Sequence, residues 1–342
     1  QRQMCIRDRI REVARAYATT PKAGIYYTLG ITEHTCGTDN VYALSNLVMM
    51  TGHLGKRSAG MNPLRGQNNV QGANDAGATP VFYPGYQRAD DPEVRAKFAA
   101  AWDVPQSDSE GLNLNVMMKA MADGRLRGLY LMGEDIVISE PNVSRVEKAM
   151  NELDFVVVQD IFFNESCRYA HVVLPAACFA EKDGVFTNSD RRVQRVRQAV
   201  EPPGQARPDW QILVEVMKRV GYEQPDYAGP GEIYAEMASL SPKFAGISHE
   251  RIETEGGLQW PVTAPDAPGT EYLHKGGVLR GKGLFQPVDY SPPFEVADPE
   301  YPLVLSTGRT LYHYNAATQT RRSEGLSTKQ PEAFVEVHRR DA

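Results

Sequence analysis

Cysteine is scarce in this chain of 342 residues: Cys5, Cys36, Cys167 and Cys178 are the only four, too far apart for any CxxC pair. A zinc ribbon or an iron-sulfur cluster built from this chain is therefore excluded, and reduced, structural thiols fit a cytoplasmic setting. Long apolar runs are missing too. The longest contender, Phe155 to Phe163, is broken by Gln159 and Asp160, whereas a helix crossing a bilayer needs roughly 18 to 20 apolar residues. Charge of one sign is not in excess. The 37 basic and 43 acidic residues leave a net charge of −6, which argues against non-specific nucleic-acid binding but leaves room for local basic pockets. Neither GxGxxG nor GxxxxGK[ST] occurs, so a plain NAD or ATP loop is not supported.

What is present is an ordinary globular balance, 42% hydrophobic and 23% charged, at a length of about two domains of ~100 to 200 residues each. Short apolar runs alternate with helical patterns, the signature of a doubly wound α/β fold with a mostly parallel sheet. Strands are expected at Ile25 to Leu29, Gly128 to Met132, Phe155 to Val158 and His171 to Leu174. Helices are expected at Val41 to Thr51, Leu112 to Ala122, Asn142 to Glu152 and Asp209 to Val220. From Gln224 to Pro299, Pro and Gly are frequent and periodicity is weak, so this segment reads as an extended connection. Tyr301 to Ser306 reads as a fresh strand, and so does Phe334 to His338. At the start, Met4-Cys5-Ile6-Arg7-Asp8-Arg9 resembles a translated sequencing adapter, so residues 1–9 are set aside as an artefact. Both ends read as cut.

Five stretches carry candidate chemistry. Gly60 to Asp75 is dense in amides and glycines around Arg65, a composition suited to a polar ligand approached closely by backbone, with a planar fork for a carboxylate or phosphate. The alternative is an Asn/Gly-rich surface loop. Met132-Gly133-Glu134-Asp135 and Val158-Gln159-Asp160 place acids at the carboxyl ends of two successive strands, where open α/β sheets bind ligands. Each acid taken alone reads first as an ordinary solvated loop residue or helix cap. Downstream of Leu174-Pro175, Arg191, Arg192, Arg195 and Arg197 form either a pyrophosphate-neutralising group or a solvated strand edge. Finally, Ser306-Thr307-Gly308-Arg309 is followed by His313, and these side chains suit a heteroaromatic or anionic group unless His313 is simply a satisfied core residue.

These strings combine into a pattern. Gly30-Ile31-Thr32-Glu33-His34-Thr35, Asn62 to Gly72, Tyr83-Pro84-Gly85-Tyr86-Gln87 through Trp102, Gly133-Glu134-Asp135, Val158-Gln159-Asp160, Leu174-Pro175, Glu181 to Asn188, Arg207-Pro208-Asp209-Trp210 and Ser306 to Arg309 resemble the catalytic subunit of molybdenum or tungsten formate dehydrogenases. The resemblance runs from about residue 10 to the end. Within the molybdopterin superfamily, the string Arg65-Gly66-Gln67-Asn68-Asn69-Val70-Gln71-Gly72 separates it from the nitrate and dimethyl-sulfoxide reductases.

The resemblance implies formate oxidised reversibly to carbon dioxide at molybdenum or tungsten held by a bis-molybdopterin guanine dinucleotide. Electrons would pass through pterin to a [4Fe-4S] cluster and on to partner subunits of iron-sulfur, flavin/NAD or hydrogenase type, as in anaerobic respiration. It implies that Arg65 and Gln67 face the active centre, where the planar fork of Arg65 is the expected formate anchor. Asp135, Ser139, Gln159, Asp160, Ala176 and Asp209 would belong to dinucleotide pockets, Ala176 through backbone alone. Arg309, Thr310, His313 and Asn315 would come from a last domain. Many members have Pro after Gly-Glu-Asp, where Ile136 stands here, which leaves the local turn open. The family's N-terminal cluster cysteines and its selenocysteine or cysteine metal ligand have no counterpart in this sequence, so the chain reads as an inactive fragment of a larger, cytoplasmic enzyme, or of one held at a membrane or exported through its partners or a signal elsewhere. Its expected parts are the end of one molybdopterin lobe at 10–67, a second lobe at 68–223, the connection at 224–299 and the start of a C-terminal β-barrel at 300–342. Two other readings stand beside this one: a cofactor-less scaffold like that of a respiratory complex, and a molybdoenzyme for another oxyanion.

Overall fold

The computed structural model describes residues 2–222 and 226–342, with side chains from residue 6 onward. In chain order come α1 (Arg2–Thr19), β1 (Gly24–Tyr27), α2 (Leu29–Thr32), α3 (Gly37–Met50), β2 (Gly60–Pro63), α4 (Val70–Asp75), β3 (Phe82–Tyr83), β4 (Gln87–Arg88) and α5 (Pro92–Trp102). They are followed by α6 (Leu114–Ala122), β5 (Gly128–Met132), α7 (Ile136–Ser139), α8 (Val143–Asn151), β6 (Phe155–Asp160), β7 (Val172–Pro175), β8 (Gly184–Thr187) and β9 (Arg192–Val196). The last are α9 (Asp209–Arg219), α10 (Pro230–Ser239), α11 (His249–Thr254), β10 (Leu258–Gln259) and α12 (Glu324–Lys329). None of the described helices is long and apolar enough to cross a membrane.

The chain folds into two compact units, each assembled from separate stretches. The second unit gathers Gly111–Lys182, Arg197–Asp226 and Leu303–Ala342. Its sheet has the parallel order β5-β6-β7. The central strand is β6, and its Val156-Val157-Val158 run is buried, as a strand covered on both faces requires. Two helices cover the core. Val146, Ala149 and Met150 of α8 and Met118 and Met121 of α6 point inward at helical spacing. Asn142 and Asn113 cap those helices, accepting the Arg145 and Val116 N–H groups at 3.0 and 3.1 Å.

The first unit takes Gln1–Glu110, Asp183–Val196 and Tyr227–Pro302. In it β1 and β2 run parallel, while β8, β9 and β10 form an antiparallel sheet. Behind that sheet Val193, Phe244, Ile247, Ile252, Leu258, Trp260 and Val262 share one core. On α5, Asp91 accepts the Glu93 N–H at 2.9 Å as the cap, Pro92 opens the first turn, and Phe98 stacks on Tyr83 at 4.4 Å.

Several sequence expectations need correction. The 224–299 segment is not one extended connection, because it holds α10, α11 and β10 and supplies most of a core. Its helices are short and framed by Pro230 and by Ser248, which caps Arg251 at 3.1 Å, so they offer too few turns for a period to show. The expected boundary at 67/68 lies inside the first unit, and the one at 223/224 falls outside the described residues. No strand forms at Tyr301–Ser306 or Phe334–His338 among the described residues. Tyr301, Leu303, Val304, Leu305, Phe334 and Val335 are exposed there, with no neighbouring strand to complete a ladder.

Candidate functional site

The register Tyr27↔Pro63 ends β1 and β2 side by side, and the Leu64 N–H still donates to the Tyr27 carbonyl at 2.8 Å. Arg65 is therefore the first residue free of the pairing, at the carboxyl end of a parallel strand. Its N–H donates to Ser189 Oγ at 3.1 Å and its Nε to Gln71 Oε1 at 3.2 Å. Arg65, Gly66, Gln67 and Asn68 are exposed. Close by, burial pushes the Tyr27 phenol up in pKa, and the Arg65 charge pulls it back down. Asn69 Oδ1 reaches across to accept the Thr187 N–H at 2.9 Å. Gly72 allows that crossing, because a Cβ there would stand 2.1 Å from Asn69 Oδ1.

Beneath this loop lies a network that sequence reasoning missed. Asp75 is only 2% exposed. Its Oδ1 accepts from Gln71 Nε2 at 2.9 Å and from the Tyr86 hydroxyl at 2.8 Å, and its Oδ2 accepts from Trp260 Nε1 at 2.9 Å. Gln71 Nε2 also donates to Tyr86 at 2.7 Å. Burial raises the Asp75 pKa, opposed by hydrogen bonds from Gln71, Tyr86, Trp260 and Thr187. The Tyr86 phenol is raised in turn, by burial first and then by Asp75. Gln71 and Asp75 stand four apart on α4, a spacing legible in sequence. Trp260 lies 185 residues from Asp75, and nothing local announces it.

In the second unit the registers Met132↔Gln159 and Asp160↔Pro175 line up the three strand tips at one sheet edge. Gln159 is fully buried. Its Oε1 accepts from the Tyr130 hydroxyl, and its Nε2 donates to Asp209 Oδ1 at 2.8 Å. Lys182 pairs with the other oxygen of Asp209, both side chains remaining partly exposed. Tyr130 and Lys182 therefore join the predicted Gln159 and Asp209 in one polar chain. Asp135 is placed differently. It is buried, with Oδ1 taken by the Ser166 N–H and hydroxyl at 3.1 and 2.7 Å and Oδ2 by the Glu165 N–H at 3.3 Å. It thus clamps the 3₁₀ turn Glu165–Tyr169. Asp160 holds the start of the same loop, accepting from the Phe162 N–H and from Asn164 Nδ2 at 3.2 and 3.0 Å. Burial raises its pKa, with Asp135 adding to the rise. Ser139 is exposed and donates to Glu134 at 2.7 Å. Ala176 is buried, its N–H spent on the Asp160 carbonyl at 3.0 Å.

The arginines after β8 turn out to be occupied. Arg191 donates to the carbonyls of Trp260, Thr270 and Glu271 and lies over the Trp260 ring, and Arg192 donates to the Gly257 carbonyl. Arg195 sits between Asp183 and Glu253. These three clamp the fold rather than wait for pyrophosphate, while Arg197 belongs to the other unit. In the last stretch His313 Nε2 meets the Gln330 carbonyl at 2.7 Å and Nδ1 meets the Thr320 hydroxyl at 3.1 Å. A carbonyl only accepts, so Nε2 carries the proton, and both ring nitrogens are engaged within the tail. Arg309 and Asn315 are exposed, Thr310 is half-buried, and Asn315 adopts a left-handed φ of 48°.

Comparison with known proteins places this arrangement. The chain is 45% identical over 98% of its length to the F420-dependent formate dehydrogenase 2 subunit alpha of Methanococcus maripaludis, covering 50% of that protein. It is 40% identical to formate dehydrogenase H of Escherichia coli, covering 97% of this chain and 47% of the relative. The chain therefore spans about half the length of these relatives. A solved structure, acetylene hydratase from Pelobacter acetylenicus, superposes with a TM-score of 0.51 at 17% identity, over 77% of this chain and 39% of that one. That likeness concerns the fold alone. The sequence pattern of the molybdopterin oxidoreductase family matches residues 12–219, a stretch that holds Arg65 and all three strand tips, and the chain belongs to that family.

Proposed function

We propose that the full-length protein containing this chain is a formate dehydrogenase, and that Arg65 holds the formate. The observation that carries the reading is the Arg65 guanidinium itself. It stands exposed at a parallel strand end, with Nε engaged by Gln71, which leaves the paired Nη groups to face a two-oxygen anion. Formate offers two oxygens and one C–H bond, and a bidentate fork on the oxygens turns that bond away from the guanidinium. Oxidation releases carbon dioxide, one proton and two electrons. Gln67, exposed two residues on, would line the same pocket.

The residues of the second unit fit a bis-pterin guanine dinucleotide carrying molybdenum or tungsten. Asp209 is a partly exposed carboxylate that takes one hydrogen bond on each oxygen, from Gln159 and from Lys182, which leaves a further lone pair on each for the N–H groups of a guanine edge. Gly133, at φ 65°, has open space where a Cβ would stand, so backbone at that tip is open to close approach. Asp209, Gln159, Lys182 and Ser139 would hold the group, with Arg309, Thr310 and Asn315 from the last stretch. When bound, the metal and pterin supply the two-electron redox chemistry. Electrons would leave by a [4Fe-4S] cluster and partner subunits.

Arg65→Lys in the full-length protein tests the reading. It keeps the charge and loses the fork, so formate KM should rise and kcat fall, with kcat/KM down by about a hundredfold and metal and pterin content normal. Unchanged formate kinetics, or loss of the cofactor, would contradict the role of Arg65.

A further inference from the structure

The network under Arg65 has a direction built into it. A carboxylate accepts hydrogen bonds and donates none, so Asp75 draws the amide nitrogen of Gln71 toward itself. That nitrogen donates to Asp75 and to the Tyr86 hydroxyl, which in turn donates to the same Asp75 oxygen. Trp260 Nε1 holds the second Asp75 oxygen. With its nitrogen committed, Gln71 can present only Oε1 to Arg65, and Oε1 is the atom that accepts from Nε. A flipped amide would set an N–H against the guanidinium.

We infer that Asp75 and Gln71 are positioning residues that fix the azimuth of the Arg65 guanidinium, so that its Nη edge rather than its Nε edge meets the anion. The inference rests on the formate reading of Arg65 and adds a mechanism to it. A guanidinium has two edges able to make paired hydrogen bonds, Nε with one Nη and the two Nη together. Gln71 occupies the first. An arginine without that partner would rotate between the two modes, and a one-carbon anion would bind with its C–H bond in more than one direction. The buried carboxylate is thus explained without giving it a proton to move.

The test uses the full-length holoprotein and nitrite, a two-oxygen anion shaped like formate but without a C–H bond, so that binding is read apart from turnover. Nitrite Kd is measured by isothermal titration calorimetry for Gln71→Met and Asp75→Asn, each in the Arg65 and in the Arg65→Lys background. Both variants keep side-chain volume. Asp75→Asn also lets the Gln71 amide turn over, and it serves if Gln71→Met does not fold. The expected result is a rise in nitrite Kd of about fivefold to tenfold in the Arg65 background, the scale of one net intramolecular hydrogen bond. No further rise is expected in the Arg65→Lys background, where no Nε remains to be held. Formate KM should follow nitrite Kd, with pterin and metal content unchanged. A Kd within twofold of the parent, or the same penalty in both backgrounds, overturns the positioning role. The formate reading fails separately, if Arg65→Lys alone leaves nitrite Kd and formate KM unaltered.

Discussion

Asp135 and Asp209 belong to one unit, yet their surroundings differ. Both oxygens of Asp135 are committed to Ser166 and Glu165, so Asp135→Ala would leave buried donors unmatched at ~1 to 3 kcal/mol each. Its thermal unfolding midpoint should drop by several degrees even without cofactor, which calorimetry of the cofactor-free protein would register. Asp209→Ala should instead lower bound guanine dinucleotide with a smaller loss of stability, and full occupancy in that variant would count against its binding role. His249 adds a pH-dependent expectation. Burial and the nearby Arg195 depress its pKa below the usual 6.5, against the opposing pull of Asp183 and Glu253. A depressed histidine makes the unfolded chain the better proton acceptor, so stability is held above about pH 6.5 and lost as pH falls from there to the folded-state pKa. Denaturant midpoints measured between pH 7 and 5 should decline less for His249→Gln than for the parent. Asp135 was visible in sequence as an acid at a strand end, and Asp209 through the string Arg207-Pro208-Asp209-Trp210. Ser166, 31 residues beyond Asp135, was not, because a clamp between two loops leaves no periodic trace.

At the scale of elements, periodic and capped segments were readable and short ones were not. Strands β5, β6 and β7 and helices α3, α6, α8 and α9 lie within a few residues of their expected positions, because each carries a continuous apolar run or stripe. Met150 tests the best of these. It is 2% exposed in the core between α8 and the sheet, so Met150→Ala should cost about 2 to 5 kcal/mol in urea unfolding. In the amide-rich segment, β2 and α4 flank the exposed turn at Gly66 to Asn68. Here Gly72→Ala gains helix propensity of up to ~1 kcal/mol but forces Asn69 off the Thr187 N–H. The net effect should be destabilising by about 1 to 2 kcal/mol, and a stabilised variant would show that the Asn69 crossing contributes little.

For the whole molecule, the chain passes back and forth between two units, and the hairpin of β8 and β9 is taken from the middle of the sequence to complete a sheet with β10. A reading in contiguous blocks cannot show this, since the Thr187 and Trp260 that contact Asp75 lie in stretches of chain far from it. The family was legible because its motifs are local strings, whereas the support beneath them is assembled only by folding. Formate oxidation is tested most directly by formate-dependent reduction of a viologen dye by the purified full-length protein, with nitrate-dependent oxidation of the reduced dye run beside it. Formate should reduce the dye and nitrate should not reoxidise it; a preparation with full metal and pterin content that leaves the dye oxidised in formate would contradict the account.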